Sequence, residues 1–110
     1  MKKLFVSVPM KDMTEEKIKA SINKMKTIAE AYQGEELELI NTYINEEVPE
    51  GVNIGIWYLA KSLEMLAEAD IFIGISDDWN WRGCFIERSV ANNYGIKCYT
   101  AATELVIDNY

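Results

Sequence analysis

Apolar positions along this chain fall into short unbroken runs and longer stretches that repeat every three or four residues. Residues 4–8 form a run of the first kind, bounded by Pro9; they are too few and too β-branched for a helix and predict a buried strand. Ile18, Ile22, Met25, Ile28 and Ala29 then keep helical spacing, between an Asp12/Glu15 capping box and a stop at Gly34. Leu37, Leu39 and Ile40 lead to Thr42-Tyr43-Ile44, which reads as a second strand, followed by an exposed acidic loop over 45–53 that holds Pro49 and Gly51. Helical spacing returns over 54–69 in Ile54, Trp57, Tyr58, Leu59, Leu63, Leu66 and Ala67, and Asp70 precedes the apolar run Ile71-Phe72-Ile73-Gly74-Ile75. A polar, aromatic-rich loop over 76–83 leads to a helix over 84–94, which Gly95 ends before a strand over 96–100.

Strands that alternate with helices predict βαβ units, right-handed crossovers and a parallel sheet covered on both faces. The expected fold class is therefore α/β, a small Rossmann- or flavodoxin-like three-layer sandwich with a four- to five-stranded parallel sheet. At 110 residues the chain has room for one domain, over 1–110.

Charge narrows the partners. Eighteen acidic against eleven basic residues give a formal charge of −7, which removes the attraction that dominates nucleic-acid binding, so no nucleic-acid partner is expected. Pro9, Lys11 and Asp12 cut the first apolar run too short for a signal peptide, and no run approaches a membrane span, so the expected location is cytoplasmic. Histidine is absent, which excludes Ser-His and Cys-His catalysis and argues against zinc; no metal and no organic cofactor is expected. Cys84 and Cys98 read as small core residues. Chemistry is left to carboxylates, hydroxyls, amides and lysine.

In open parallel sheets the ligand crevice lies beyond the carboxyl ends of the strands. Three segments converge there: residues 7–12, the loop after Tyr43, and Ser76-Asp77-Asp78-Trp79-Asn80-Trp81-Arg82-Gly83. The third sets two indoles, two carboxylates and an arginine before a helix carrying Glu87 in its first turns, where the helix dipole would favour the anion. A poised carboxylate beside aromatic surfaces suits a sugar-plus-base ligand. The competing reading has Trp79 and Trp81 packing on the domain or a second subunit, and Glu87 paired with Arg82 or Arg88.

Val6-Ser7-Val8-Pro9-Met10, Leu63-Glu64-Met65-Leu66-Ala67-Glu68-Ala69-Asp70-Ile71 and Arg82-Gly83-Cys84-Phe85-Ile86-Glu87, followed by Ala91 and Tyr94-Gly95-Ile96-Lys97, occur in an order that spans almost the whole chain. In these pieces the sequence resembles the nucleoside 2-deoxyribosyltransferase-like family, which includes deoxynucleoside monophosphate N-glycosidases. The resemblance implies that Glu87 attacks the anomeric carbon of a deoxyribosyl group, giving a glycosyl ester that water or another base resolves. It also implies that Ser7, Pro9, Met10 and Lys11 hold the sugar or its phosphate, and that Asp70 is structural. Tyr43, Trp79, Trp81, Arg82 and Gly83 complete the expected substrate-binding set. Relatives commonly complete their sites across a dimer, which implies a homodimer or larger homo-oligomer, with Asp108, Asn109 and Tyr110 reaching a neighbour.

The chain departs from that pattern at one position. Where the active enzymes carry a second acid, one residue before the Leu-Glu pair, this chain has Ser62. Asp77 or Asp78 could supply the missing proton, because mutual repulsion raises one pKa of an adjacent pair. Three functions stay open at this level: a glycosidase or transferase acting on a nucleoside or nucleotide, a silent nucleotide- or ribosyl-binding module, and a structural oligomerisation protein.

Overall fold

The computed structural model describes residues 1–107; Asp108, Asn109 and Tyr110 lie outside the described residues. The strands Lys3–Val6 (β1), Glu38–Leu39 (β2), Ile71–Ile75 (β3) and Lys97–Ala101 (β4) form one sheet in the order β2-β1-β3-β4, and every pairing is parallel. The helices are Glu15–Gln33 (α1), Ile54–Leu66 (α2), Arg82–Asn93 (α3) and Thr103–Val106 (α4), with a single 3-10 turn at Asp78–Asn80. This is the α/β, flavodoxin-like arrangement that the alternating pattern predicts, with four strands. No helix among the described residues is long and apolar enough to cross a membrane.

Alternation along the strands sorts the core into two layers. Leu4, Val6, Ile71, Ile73 and Ile75 face one way and meet Met25 and Ala29 of α1 and Val106 of α4. Phe5 and Phe72 face the other way and meet Leu66 of α2 and Ala91 of α3. Their rings stack with centroids 5.9 Å apart. Phe72 is 0 % exposed, so truncation to alanine would cost about 3–5 kcal/mol in lost transfer and cavity terms.

The same parity continues past the end of β1. The Ser7 N–H donates to the Ile73 carbonyl at 2.9 Å, which extends the ladder by one residue. Ser7 therefore shares Phe5's side of the sheet, towards α2 and α3. Gly74 keeps the adjoining space open: a Cβ there would lie 2.9 Å from the Phe72 ring, with the Ser7 Cβ 4.0 Å away.

Several boundaries differ from the sequence reading. The second strand is Glu38–Leu39, not Thr42-Tyr43-Ile44. It sits at the sheet edge and pairs only with the start of β1, so the later residues leave the sheet and wall a cleft. Helix α1 is capped by Thr14, whose hydroxyl accepts from the Lys17 N–H at 3.2 Å, rather than by Asp12. Asp12 instead takes the left-handed conformation at φ 62°, which a short polar side chain tolerates better than most. Gly34 ends α1 in the same region at φ 76°, as its position predicts. Helix α2 stops at Leu66, and α3 begins two residues before the expected Cys84.

Candidate active site

The strand parity that turns Ser7 towards α3 meets a matching helical spacing there. Cys84, Glu87 and Ala91 recur at three- and four-residue steps and share the face of α3 that packs on the sheet. Ser62 and Leu66 are likewise one turn apart on α2, so the burial of Leu66 brings Ser62 towards the same place. The Ser7 hydroxyl donates to Glu87 Oε1 at 2.7 Å, and the Ser62 hydroxyl donates to the same carboxylate.

Burial pushes the Glu87 carboxyl above its ordinary range, and the Ser7 and Ser62 hydroxyls oppose that shift by bonding to the anion. This corrects the expectation of a carboxylate stabilised by the helix dipole. Glu87 is the sixth residue of α3, and the field of a helix terminus fades beyond the first turn. Among the described residues no cation pairs with it, so the alternative pairing with Arg82 or Arg88 does not form.

Arg88 is engaged elsewhere. Its guanidinium reaches both oxygens of Asp78, with Nη2 donating to Oδ1 at 2.9 Å and Nε against Oδ2. Asp78 is 1 % exposed, and this two-pronged pair ties the 3-10 turn to α3. Its carboxylate is thereby spent on an anchor. Asp77 is half-buried, and its backbone N–H donates to the Thr103 hydroxyl at 3.1 Å, which fastens the loop to α4.

Cys84 belongs to this site, although its sequence reads only as core. It is buried beside Ser7 and Glu87, and burial is the main force that pushes its thiol up to about 11. A neutral thiol is a poor nucleophile, so Cys84 adds no second nucleophile beside the carboxylate. No group of His, Cys, Asp or Glu side chains suited to a metal ion occurs among the described residues.

Of the other expected site residues, Pro9, Met10, Lys11, Tyr43 and Trp81 line two hollows that flank α1, and Trp79, Arg82 and Gly83 line neither. A cleft of about 670 Å³ runs past Met10, Ile18, Ile22, Tyr43 and Tyr58. Tyr58 lies one helical turn before Ser62 on α2, but Ser7, Ser62 and Glu87 are not in the lining of this cleft. A smaller cavity of about 300 Å³ is walled by Pro9, Lys11 and Trp81. Trp81 packs on the α1 side of the core, whereas Trp79 is 71 % exposed. Arg82 and Gly83 are exposed in the first turn of α3.

Asp70 acts as the sequence suggests, accepting from the Lys3 N–H at 2.8 Å and so joining the two central strands at their amino ends. The partner that sequence reasoning missed is Ser62, noticed there only as the residue replacing an acid. Its one-turn offset from buried Leu66 was the available signal. No protein-family model, curated protein or solved structure matches this chain.

Proposed function

We propose that the protein is an N-glycosidase or deoxyribosyltransferase acting on a nucleoside or nucleoside monophosphate, with Glu87 as the nucleophile. The observation that carries this reading is the Ser7–Glu87 hydrogen bond of 2.7 Å on a carboxylate that burial destabilises and no cation neutralises. A carboxylate held only by hydroxyls keeps its charge available to a cationic carbon. The oxocarbenium-like carbon of a departing glycoside is such a partner, and the ion attracts it more strongly than the neutral ground state does.

In the first step a Glu87 oxygen bonds to the anomeric carbon while the bond to the base nitrogen breaks. The base leaves with that electron pair and takes a proton from water. In the second step water attacks the same carbon, the ester bond breaks, Glu87 is restored as carboxylate, and the proton that the attacking water loses neutralises the hydroxide left by the first step. Transfer differs only in that a second base replaces the water. Ser7 and Ser62 orient the carboxylate, and the cleft past Tyr43 and Tyr58 offers apolar and aromatic surface for the base.

The second reading, a silent ribosyl-binding module, is favoured by Ser62, a hydroxyl where the resembling enzymes carry an acid. For a partner we propose a second copy of this chain. Ile54 and Ile56 of α2 are 61 % and 65 % exposed, and Phe85 on α3 is 47 % exposed, apolar surface of a kind that marks an interaction site.

The test is incubation with deoxynucleosides and their 5′-monophosphates, following free base by chromatography. Release by the wild type and not by Glu87→Ala supports the glycosyl chemistry. Thermal stabilisation without release supports the binding module, and no response to any compound overturns both. Sedimentation of Ile56→Glu against wild type tests the second copy: a wild-type dimer that falls to monomer is expected, and a wild-type monomer removes it.

A further inference from the structure

The cavity of about 300 Å³ lies on the flank of α1 away from the larger cleft, with Val106 and Ile107 in its lining. It exists because α1 turns small residues to it. Lys17, Ala20, Ser21 and Lys24 follow the three- and four-residue rhythm of one helix face, and the two small members leave a hollow between the two lysines. Lys11 enters from the loop after β1, and Trp81 forms an apolar wall.

The pairing of the lysines separates this hollow from the rest of the surface. Lys2, Lys3, Lys19, Lys26 and Lys61 each have a carboxylate partner, and Lys97 lies over the Tyr99 ring. Lys11, Lys17 and Lys24 have no such partner among the described residues, and all of them line the one cavity. Among the described residues, Asp12 is the one carboxylate in its lining. A chain of formal charge −7 thus collects its uncommitted lysines around a single hollow.

We infer that this cavity binds a linear polyphosphate group carried by a small molecule whose apolar part lies on Trp81. Lysine is a flexible point charge suited to phosphate oxygens. Lys17 and Lys24 lie two helical turns apart, about 10 Å along the axis, a separation matched to a chain of phosphates rather than a single one. Glu87, Ser7 and Ser62 are not in the lining of this cavity, and its test does not use the activity of Glu87.

The experiment is calorimetric titration of the full chain with tripolyphosphate, pyrophosphate and orthophosphate at low ionic strength. Affinity is expected to fall in that order and to weaken with added salt. Lys17→Ala/Lys24→Ala should lose affinity by about tenfold or more, as expected when charge-assisted bonds are removed. Ala20→Leu should lose it too, by filling the hollow with every charge retained. Lys19→Ala/Lys26→Ala removes the same charge from the same helix outside the cavity, and should bind as wild type does. No binding of tripolyphosphate, an equal loss in the two double variants, or undiminished binding in Ala20→Leu would each overturn the site. Glu87→Gln should bind tripolyphosphate normally, so failure of the glycosidase reading and failure of this one are distinguishable.

Discussion

Two carboxylates on neighbouring segments meet opposite surroundings. Asp78 is buried and answered by a guanidinium on both oxygens, while Glu87 is partly buried and, among the described residues, answered only by the hydroxyls of Ser7 and Ser62. An ion pair satisfies its charges within the protein and leaves little for a ligand. Hydroxyls stabilise an anion without cancelling it, so burial still raises the free energy of the charged form. The first arrangement serves the fold, and the second keeps a charge in reserve. Sequence treats the two acids almost alike, since each stands near an arginine and beside the same aromatic loop.

The sharpest way to break this comparison is Glu87→Gln. If the carboxylate is a nucleophile, base release should fall at least about a thousandfold, roughly 4 kcal/mol of transition-state stabilisation, with little loss of thermal stability. Comparable turnover in variant and wild type would remove Glu87 from the chemistry. Arg88→Ala should have the opposite profile. It strands a carboxylate that is 1 % exposed, and urea unfolding should report a loss of about 3 kcal/mol, the low end for broken buried pairs because Arg88 is itself 31 % exposed. Turnover per folded molecule should remain close to wild type; a loss matching that of Glu87→Gln would merge the two roles.

Ser7→Ala is expected to cost about tenfold in turnover, the worth of one hydrogen bond to a charged group. Its pH dependence sharpens the point. Turnover needs the ionised carboxylate, so the wild-type acid limb should lie above the ordinary glutamate value of 4.5, because burial raises this group. Removing the Ser7 bond deletes an opposing influence and should move that limb further up. An unchanged limb would mean that Ser7 does not bond the anion in solution.

Stability should show the converse. A carboxyl raised in the folded state binds more protons there than in the unfolded chain. Its contribution is complete below the unfolded value and is lost as pH rises through the folded one. Denaturant midpoints should therefore decline with pH over that window in wild type and less so in Glu87→Gln. The smallest effect expected is that of Ser62→Ala, about threefold in turnover, with the acid limb shifted the same way as in Ser7→Ala but by less. An equal or larger shift would make Ser62 the principal partner.

Much of this fold is legible in the chain because strands and helices impose different repeats on the same apolar residues. The run at 71–75 is buried on both faces, as an unbroken apolar run requires, and the stripe through Met25 and Ala29 buries one face of α1 against the sheet. The edge strand is legible only in part. Glu38–Leu39 has a partner on one side, so burial constrains it weakly, and the more β-prone Thr42-Tyr43-Ile44 misleads. In the candidate site, the facing of Ser7 follows from its parity with Phe5, and Glu87 shares a helical face with Cys84 and Ala91.

The sequence by itself determined the alternation of strands and helices, the two layers of the core, the absence of histidine chemistry and the acidic character of the molecule. These follow from local periodicity and from side-chain type, which do not depend on what lies opposite. Only the tertiary structure decided that Arg88 belongs to Asp78, that Ser7 and Ser62 converge on Glu87, and that Lys11, Lys17 and Lys24 share one hollow. Ser7 and Glu87 are 80 residues apart in the chain, and nothing local records their contact. Whether a buried charge becomes an anchor or a reactive group depends on which side chain the packing sets against it.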